Sequence, residues 1–94
     1  MTRNREVQKA MTKFGLEILM LLKCEDIVVP SKALSISEIL EKIPTQKRKS
    51  YSTTYRHLQN MTEQGYIKCG LTDGLASTYF ITEPGKAYCK AQSI

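Results

Sequence analysis

Four residues punctuate the middle of the chain and bound what it can become: Ser35, Pro44, Ser50 and Gly65. Ser35-Ile36-Ser37-Glu38 fits a capping box, in which the serine oxygen accepts the third helical amide and Glu38 reaches back. The helix it opens carries Ile36, Ile39, Leu40 and Ile43 as its core stripe. Pro44 ends it, because the residue before a proline disfavours helical torsions. A polar, basic turn follows, Thr45-Gln46-Lys47-Arg48-Lys49-Ser50. The next helix is expected from about Tyr51 to Gln64, capped by Ser50 or Ser52 and closed by a left-handed Gly65.

The flanks complete the pattern. Upstream, Val7, Met11, Phe14, Ile18, Leu21 and Leu22 recur at steps of three and four, which predicts a helix over about residues 5–24. Leu16, Leu19 and Met20 fall on its other faces, and a helix apolar all round is buried all round. Cys24 to Ala33 reads as a loop with a short extended piece, Ile27-Val28-Val29. Downstream, extended segments are expected at about Tyr66–Gly70 and Ser77–Ile81, with the hairpin signal Asp73-Gly74 between them. Thr82 then caps a short helix with Glu83 and Pro84 in its first turn and Ala87, Tyr88 and Ala91 on its inner face. Helix, short strand, helix, helix, strand, turn, strand, helix is an α+β order, that of a winged helix-turn-helix spanning residues 1–94 as one domain.

Composition removes several classes of function. No apolar run approaches the roughly 18–20 residues needed to span a bilayer. Arg3 and Arg5 are followed by acidic and polar residues rather than a cleavage site, so no signal peptide and a cytoplasmic location are expected. Cys24, Cys69 and Cys89 have no paired spacing and His57 is the only histidine, so no metal, cofactor or disulfide framework is expected. Neither a Gly-x-Ser-x-Gly elbow nor a phosphate loop is present, which argues against an enzyme. The net charge of +5 suits a nucleic-acid partner, provided the cations are gathered in one place.

They gather at the third helix. At 100° per residue, Tyr51, Tyr55, Leu58 and Thr62 cluster on one side with Thr54 and Met61 beside them, and that side is expected to pack inward. The opposite side presents Lys49, Thr53, Arg56 and Asn60, with Ser52 and His57 at its margins and no carboxylate before Glu63. Arginine can fork onto guanine, asparagine onto adenine, and hydroxyls can reach either bases or phosphates. Lys47, Arg48, Lys49 and Ser50 lie ahead of the helix, where side chains meet the flanking phosphates. Double-stranded DNA is the expected partner.

Two stretches carry a resemblance. Tyr55-Arg56-His57-Leu58-Gln59-Asn60-Met61-Thr62-Glu63-Gln64-Gly65-Tyr66-Ile67 resembles the recognition-helix-to-strand signature of PadR-like and MarR-like winged-helix regulators. Tyr79-Phe80-Ile81-Thr82-Glu83-Pro84-Gly85-Lys86 resembles the same families' third strand and following helix start. The resemblance implies a cytoplasmic, dimeric, repressor-type DNA-binding protein. Departures from the pattern are a short wing, Leu71–Ala76, without Arg or Lys, a longer and more basic turn before the third helix, and no long C-terminal helices before Ile94.

Alternatives stay open at this stage. A plasmid or phage accessory factor for replication, partition or transfer would use the same groove contacts, and a winged helix can serve protein contacts alone. Homodimerisation is expected through Leu16, Leu19 and Met20 of the first helix with Tyr88 and Ala91 of the last. Met11, Met20 and Met61 with Tyr51, Tyr55 and Tyr88 offer material for an effector pocket, although core packing is the expected use.

Overall fold

A computed structural model describes residues 11–72 and 77–92. The first helix, α1 (Lys13–Cys24), starts later than the periodicity predicts. Thr12 is extended and its hydroxyl accepts the Gly15 amide at 3.0 Å, so a local cap ends the helix there and leaves Met11 outside it. The remainder of the expected stretch, residues 5–10 with Val7, lies outside the described residues. Asp26 takes a left-handed turn at φ 58°, and Ile27 is buried with its carbonyl accepting the Ile81 amide at 2.9 Å.

The expected strand at Ile27–Val29 does not form. Pro30 instead begins a single 3-10 turn, Pro30–Lys32, and the strand falls at β1 (Leu34–Ser35). Ser35 then caps α2 (Ile36–Glu41), with both capping-box bonds present: the Glu38 amide to the serine oxygen at 3.2 Å and the Ser35 amide to the Glu38 carboxylate at 2.9 Å. A second 3-10 turn, Thr45–Lys47, leads into α3 (Tyr51–Glu63), capped by Ser50 and closed by Gly65 at φ 86°. The strands β2 (Ile67–Cys69) and β3 (Thr78–Ile81) pair antiparallel, and β3 lies between β2 and β1 in a three-stranded sheet. The hairpin connection at Asp73-Gly74 is outside the described residues.

The chain ends on α4 (Glu83–Gln92), whose phase differs from the expected one. Gly85 and Cys89 face inward, Tyr88 is half-buried, and Ala87 and Ala91 are exposed. The reason is steric. A Cβ at Gly85 would overlap the Tyr66 carbonyl oxygen, so the helix can lie this close to the β2 start only along its glycine. Core side chains come from every layer: Ile18, Leu19 and Leu22 of α1, Ile36 and Ile39 of α2, Leu58 and Met61 of α3, Ile67, Tyr79 and Ile81 of the sheet, and Cys89 of α4. No helix among the described residues is long and apolar enough to cross a membrane.

Candidate nucleic-acid interface

Burial fixes how α3 is rotated. Thr54, Leu58 and Met61 are its buried residues, an i, i+4, i+7 stripe. Tyr51 and Tyr55, expected inside, are instead 56% and 44% exposed. Threonine wins the inner position because its hydroxyl is satisfied locally, donating to the Ser50 carbonyl at 2.8 Å. A buried tyrosine hydroxyl there would have needed a partner of its own. With Thr54, Leu58 and Met61 inward, 100° steps put Ser52, Arg56 and Glu63 near the outward pole. Asn60 and Thr53 stand on one side of it and Gln59 on the other.

The flanks of α3 differ. One turns to α1, where the Nδ1 of His57 lies 3.1 Å from the Thr12 hydroxyl and its ring meets Phe14 edge-on at 5.2 Å. The Thr12 oxygen already accepts the Gly15 amide, so its proton is free to donate to an unprotonated Nδ1. Burial, then Lys49 and Arg56, depress the His57 pKa below its ordinary 6.5, in keeping with a neutral ring. The other flank, with Tyr51 and Tyr55, turns to the sheet. The phenol of buried Tyr79 is pushed up first by burial and then by Cys69 and Tyr55, more weakly by Tyr51, while a hydrogen bond from Ser77 opposes the rise.

The basic turn is laid against the body of the protein. Arg48 donates from Nε to the Ile43 carbonyl at 2.7 Å and from a terminal nitrogen to the Glu41 carbonyl at 3.2 Å, satisfying the otherwise open end of α2. The Lys47 ammonium lies 3.5 Å from the Glu17 carboxylate, with both side chains partly exposed. The Lys49 ammonium sits 5.7 Å above the Phe14 ring. Together with Lys13 and Gln46 these residues line a groove of about 300 Å³. Ser50 is engaged by its cap and donates its own proton to Thr53 at 2.9 Å. Among the described residues, Arg56 makes no hydrogen bond or ion pair.

The structure thus brings together Lys47, Arg48, Lys49, Ser50, Ser52, Thr53, Arg56 and Asn60 at one end and one face of α3, and turns His57 toward α1. Lys13 lines the groove of the basic turn, and Tyr51, Tyr55 and Gln59 stand on the other flank of α3, all outside the expected set. The signal that finds the tyrosines is the Thr54–Leu58–Met61 spacing itself, once threonine is allowed to be a core residue.

The residues expected at a dimer interface separate. Leu19 is fully buried inside its own chain and presents no surface to a second one, a correction that follows from α1 being covered by α3, α4 and the sheet. Leu16 is half-buried, Met20 is 36% exposed and Ala91 is exposed. Tyr88 packs on Tyr66 at 5.0 Å. Met11 and Met61 line a cavity of about 160 Å³ with Thr12, Gly15, His57, Asn60 and Gln64, whereas Met20, Tyr51, Tyr55 and Tyr88 do not contribute to it. Cys24 and Cys69 are exposed and Cys89 is buried, which pushes its thiol up. Among the described residues no cluster of metal-ligating side chains occurs.

Solved structures share this arrangement. TubR from Bacillus megaterium pBM400 matches with a TM-score of 0.71 at 20% identity, over 95% of this chain and 92% of that one. The DNA-binding TubR fragment from Clostridium botulinum matches with a TM-score of 0.64 at 26% identity, over 87% and 96%. S. aureus MepR, solved as a DNA complex, matches with a TM-score of 0.67 at 17% identity, over 86% of this chain and 60% of its own. The fold is therefore a winged helix. It resembles that of MarR-like regulators, among them ZitR of Lactococcus lactis with a TM-score of 0.64. No protein-family model matches the chain, and no curated protein sequence does.

Proposed function

We propose that this chain binds double-stranded DNA sequence-specifically by inserting α3 into the major groove, and that it serves as a small transcriptional regulator of the repressor type. The observation that carries this is the outward face of α3: Ser52 and Arg56 stand near its pole with Asn60 beside it, cations gather at the helix start, and no carboxylate intervenes before Glu63. That face offers forked donors for base edges, while Lys13, Lys47 and Lys49 offer point charges for phosphates. The shared fold of a DNA-bound regulator and of a DNA-binding fragment supports the reading. The described wing residues add no cation to it beyond Lys68.

A homodimer suits such a site, because two recognition helices about 34–36 Å apart read half-sites one helical turn from each other. Leu16, Met20 and Ala91 supply the outward apolar groups that such a pairing would use. Mobility shift on the DNA flanking the chain's own gene tests the reading, with salt titration to separate specific from nonspecific binding. Binding that ignores sequence at all salt concentrations would overturn the sequence-specific reading, and binding to no duplex at all would favour a protein-contact module.

A further inference from the structure

Two exposed aromatic rings stand on α3 without a packing reason. The helix is held to the core by Thr54, Leu58 and Met61, and Tyr51 and Tyr55 keep about half of their surface in water. Spaced four residues apart, they stack one turn above the other on a single flank. By helical phase that flank lies between the outward pole and the buried Thr54–Leu58–Met61 stripe, opposite the flank that turns to α1. Arg56 follows Tyr55 in the sequence and stands toward the outward pole, so the strip borders a cation on its DNA-facing side. Both belong to the first turns of α3, the part of a groove-entering helix that reaches base edges.

The major groove displays one apolar group, the C5-methyl of thymine. A ring already exposed at the helix surface gains by covering that methyl, because both apolar surfaces leave water. Gln59, one turn beyond Tyr55 and on the same side of the pole, carries the amide that forks onto adenine. The three side chains form one line of chemistry for A·T pairs.

Resting on the DNA-binding reading above, we propose that Tyr51 and Tyr55 are specificity-determining residues that pack against two thymine methyl groups in the major groove. The experiment selects duplexes from a random library with the wild-type chain, then replaces each dT of the selected site by dU, which deletes only the methyl. At two positions the replacement weakens binding about fourfold, the fold-change equivalent of about 0.8 kcal/mol for one buried carbon. Tyr55→Ala abolishes the penalty at one position and Tyr51→Ala at the other, while Tyr55→Phe retains it because the ring remains. Penalties that persist in both alanine variants overturn the proposal while leaving DNA binding intact. So does a Tyr55→Phe variant as weak as Tyr55→Ala, which would make the tyrosine a phosphate contact through its hydroxyl. Failure of the wild-type chain to enrich or retain any duplex at low salt overturns this proposal together with the DNA reading on which it rests.

Discussion

The basic turn and the outward pole of α3 lie within a few residues of each other and carry the same sign of charge, yet the fold uses them differently. In the turn, every cation already has work inside its own chain: Arg48 on the end of α2, Lys47 near Glu17, Lys49 over Phe14. On the helix pole, Arg56 makes no hydrogen bond or ion pair among the described residues and only disfavours a proton on His57. A charge that is held by backbone carbonyls is part of the fold before any ligand arrives. A charge left free in water is available, and it loses side-chain entropy only when a partner appears. Counting cations in a sequence therefore overstates a site, because some of them are structural.

The largest expected effect tests the free side of this contrast. Arg56→Ala should cost about 1–3 kcal/mol on the preferred duplex and relax discrimination at one base pair, as expected for loss of a forked base contact. Thermal stability should stay within about 0.5 kcal/mol of wild type, since an exposed side chain without partners is removed. The quantity to measure is the ratio of specific to nonspecific affinity. Equal losses on both kinds of DNA would demote Arg56 to a phosphate contact and erase the distinction from the turn.

Next comes the held side. Arg48→Ala removes two hydrogen bonds from a charged donor to carbonyls at the end of α2 and should lower folding stability by about 1–2 kcal/mol. In a domain this small that corresponds to a fall in Tm of very roughly 4–15 °C by calorimetry. Arg48→Lys should recover little, because a single ammonium cannot reproduce the two-nitrogen grip. An Arg48→Ala protein that melts like wild type would show that these bonds add nothing over water.

What was legible in the sequence follows the same divide between local and distant causes. The Ser35 box, the Ser50 cap and the Gly65 closure are written within a few residues of where they act, and the start of α2 and both ends of α3 fall there, whereas α2 stops at Glu41, short of the expected Ile43 and Pro44. The strand β1 was misplaced because a two-residue strand exists only through its partners Tyr79 and Thr78, some forty residues away. The rotation of α3 was missed because tyrosine outranks threonine in hydrophobicity, while the local bond to the Ser50 carbonyl makes Thr54 the better core residue. The cations of the candidate site were identifiable by type and spacing. Their engagement was not, since it depends on the end of α2 and on Glu17, thirty positions from Lys47.

Lys47 offers a smaller effect that sharpens the contrast within the turn itself. Its pairing with Glu17 is partly exposed and long, so it contributes little to stability and gives way easily. Lys47→Ala should leave Tm nearly unchanged. On DNA it should weaken all sequences alike and flatten the slope of log affinity against log salt by about 0.9 if one phosphate contact is lost. An unchanged slope would place Lys47 with Arg48, as a residue of the fold rather than of the interface.

The smallest effect belongs to His57, which sits where the two regions meet and was expected on the DNA-facing margin. Its ring accepts from Thr12 and faces Phe14, with Lys49 of the turn and Arg56 of the pole both disfavouring a proton. The sign of the pH dependence follows. A histidine whose folded pKa is lowered binds fewer protons in the folded chain than in the unfolded one, so stability rises with pH across the interval between the two values. The contribution is therefore complete above the ordinary value of 6.5 and is lost as pH falls through the lowered folded value. Melting temperatures measured from pH 7.5 downward should decline first in that interval, and His57→Gln should remove that part of the decline because glutamine cannot take up the proton. The ring is only partly buried, so solvent screens the charge and the difference between the two curves should be small. If protonation also brought a cation to the DNA, affinity would rise over the same interval in the wild type and not in His57→Gln. Parallel curves for both proteins, in melting and in binding, would mean that His57 only fills space between α1 and α3.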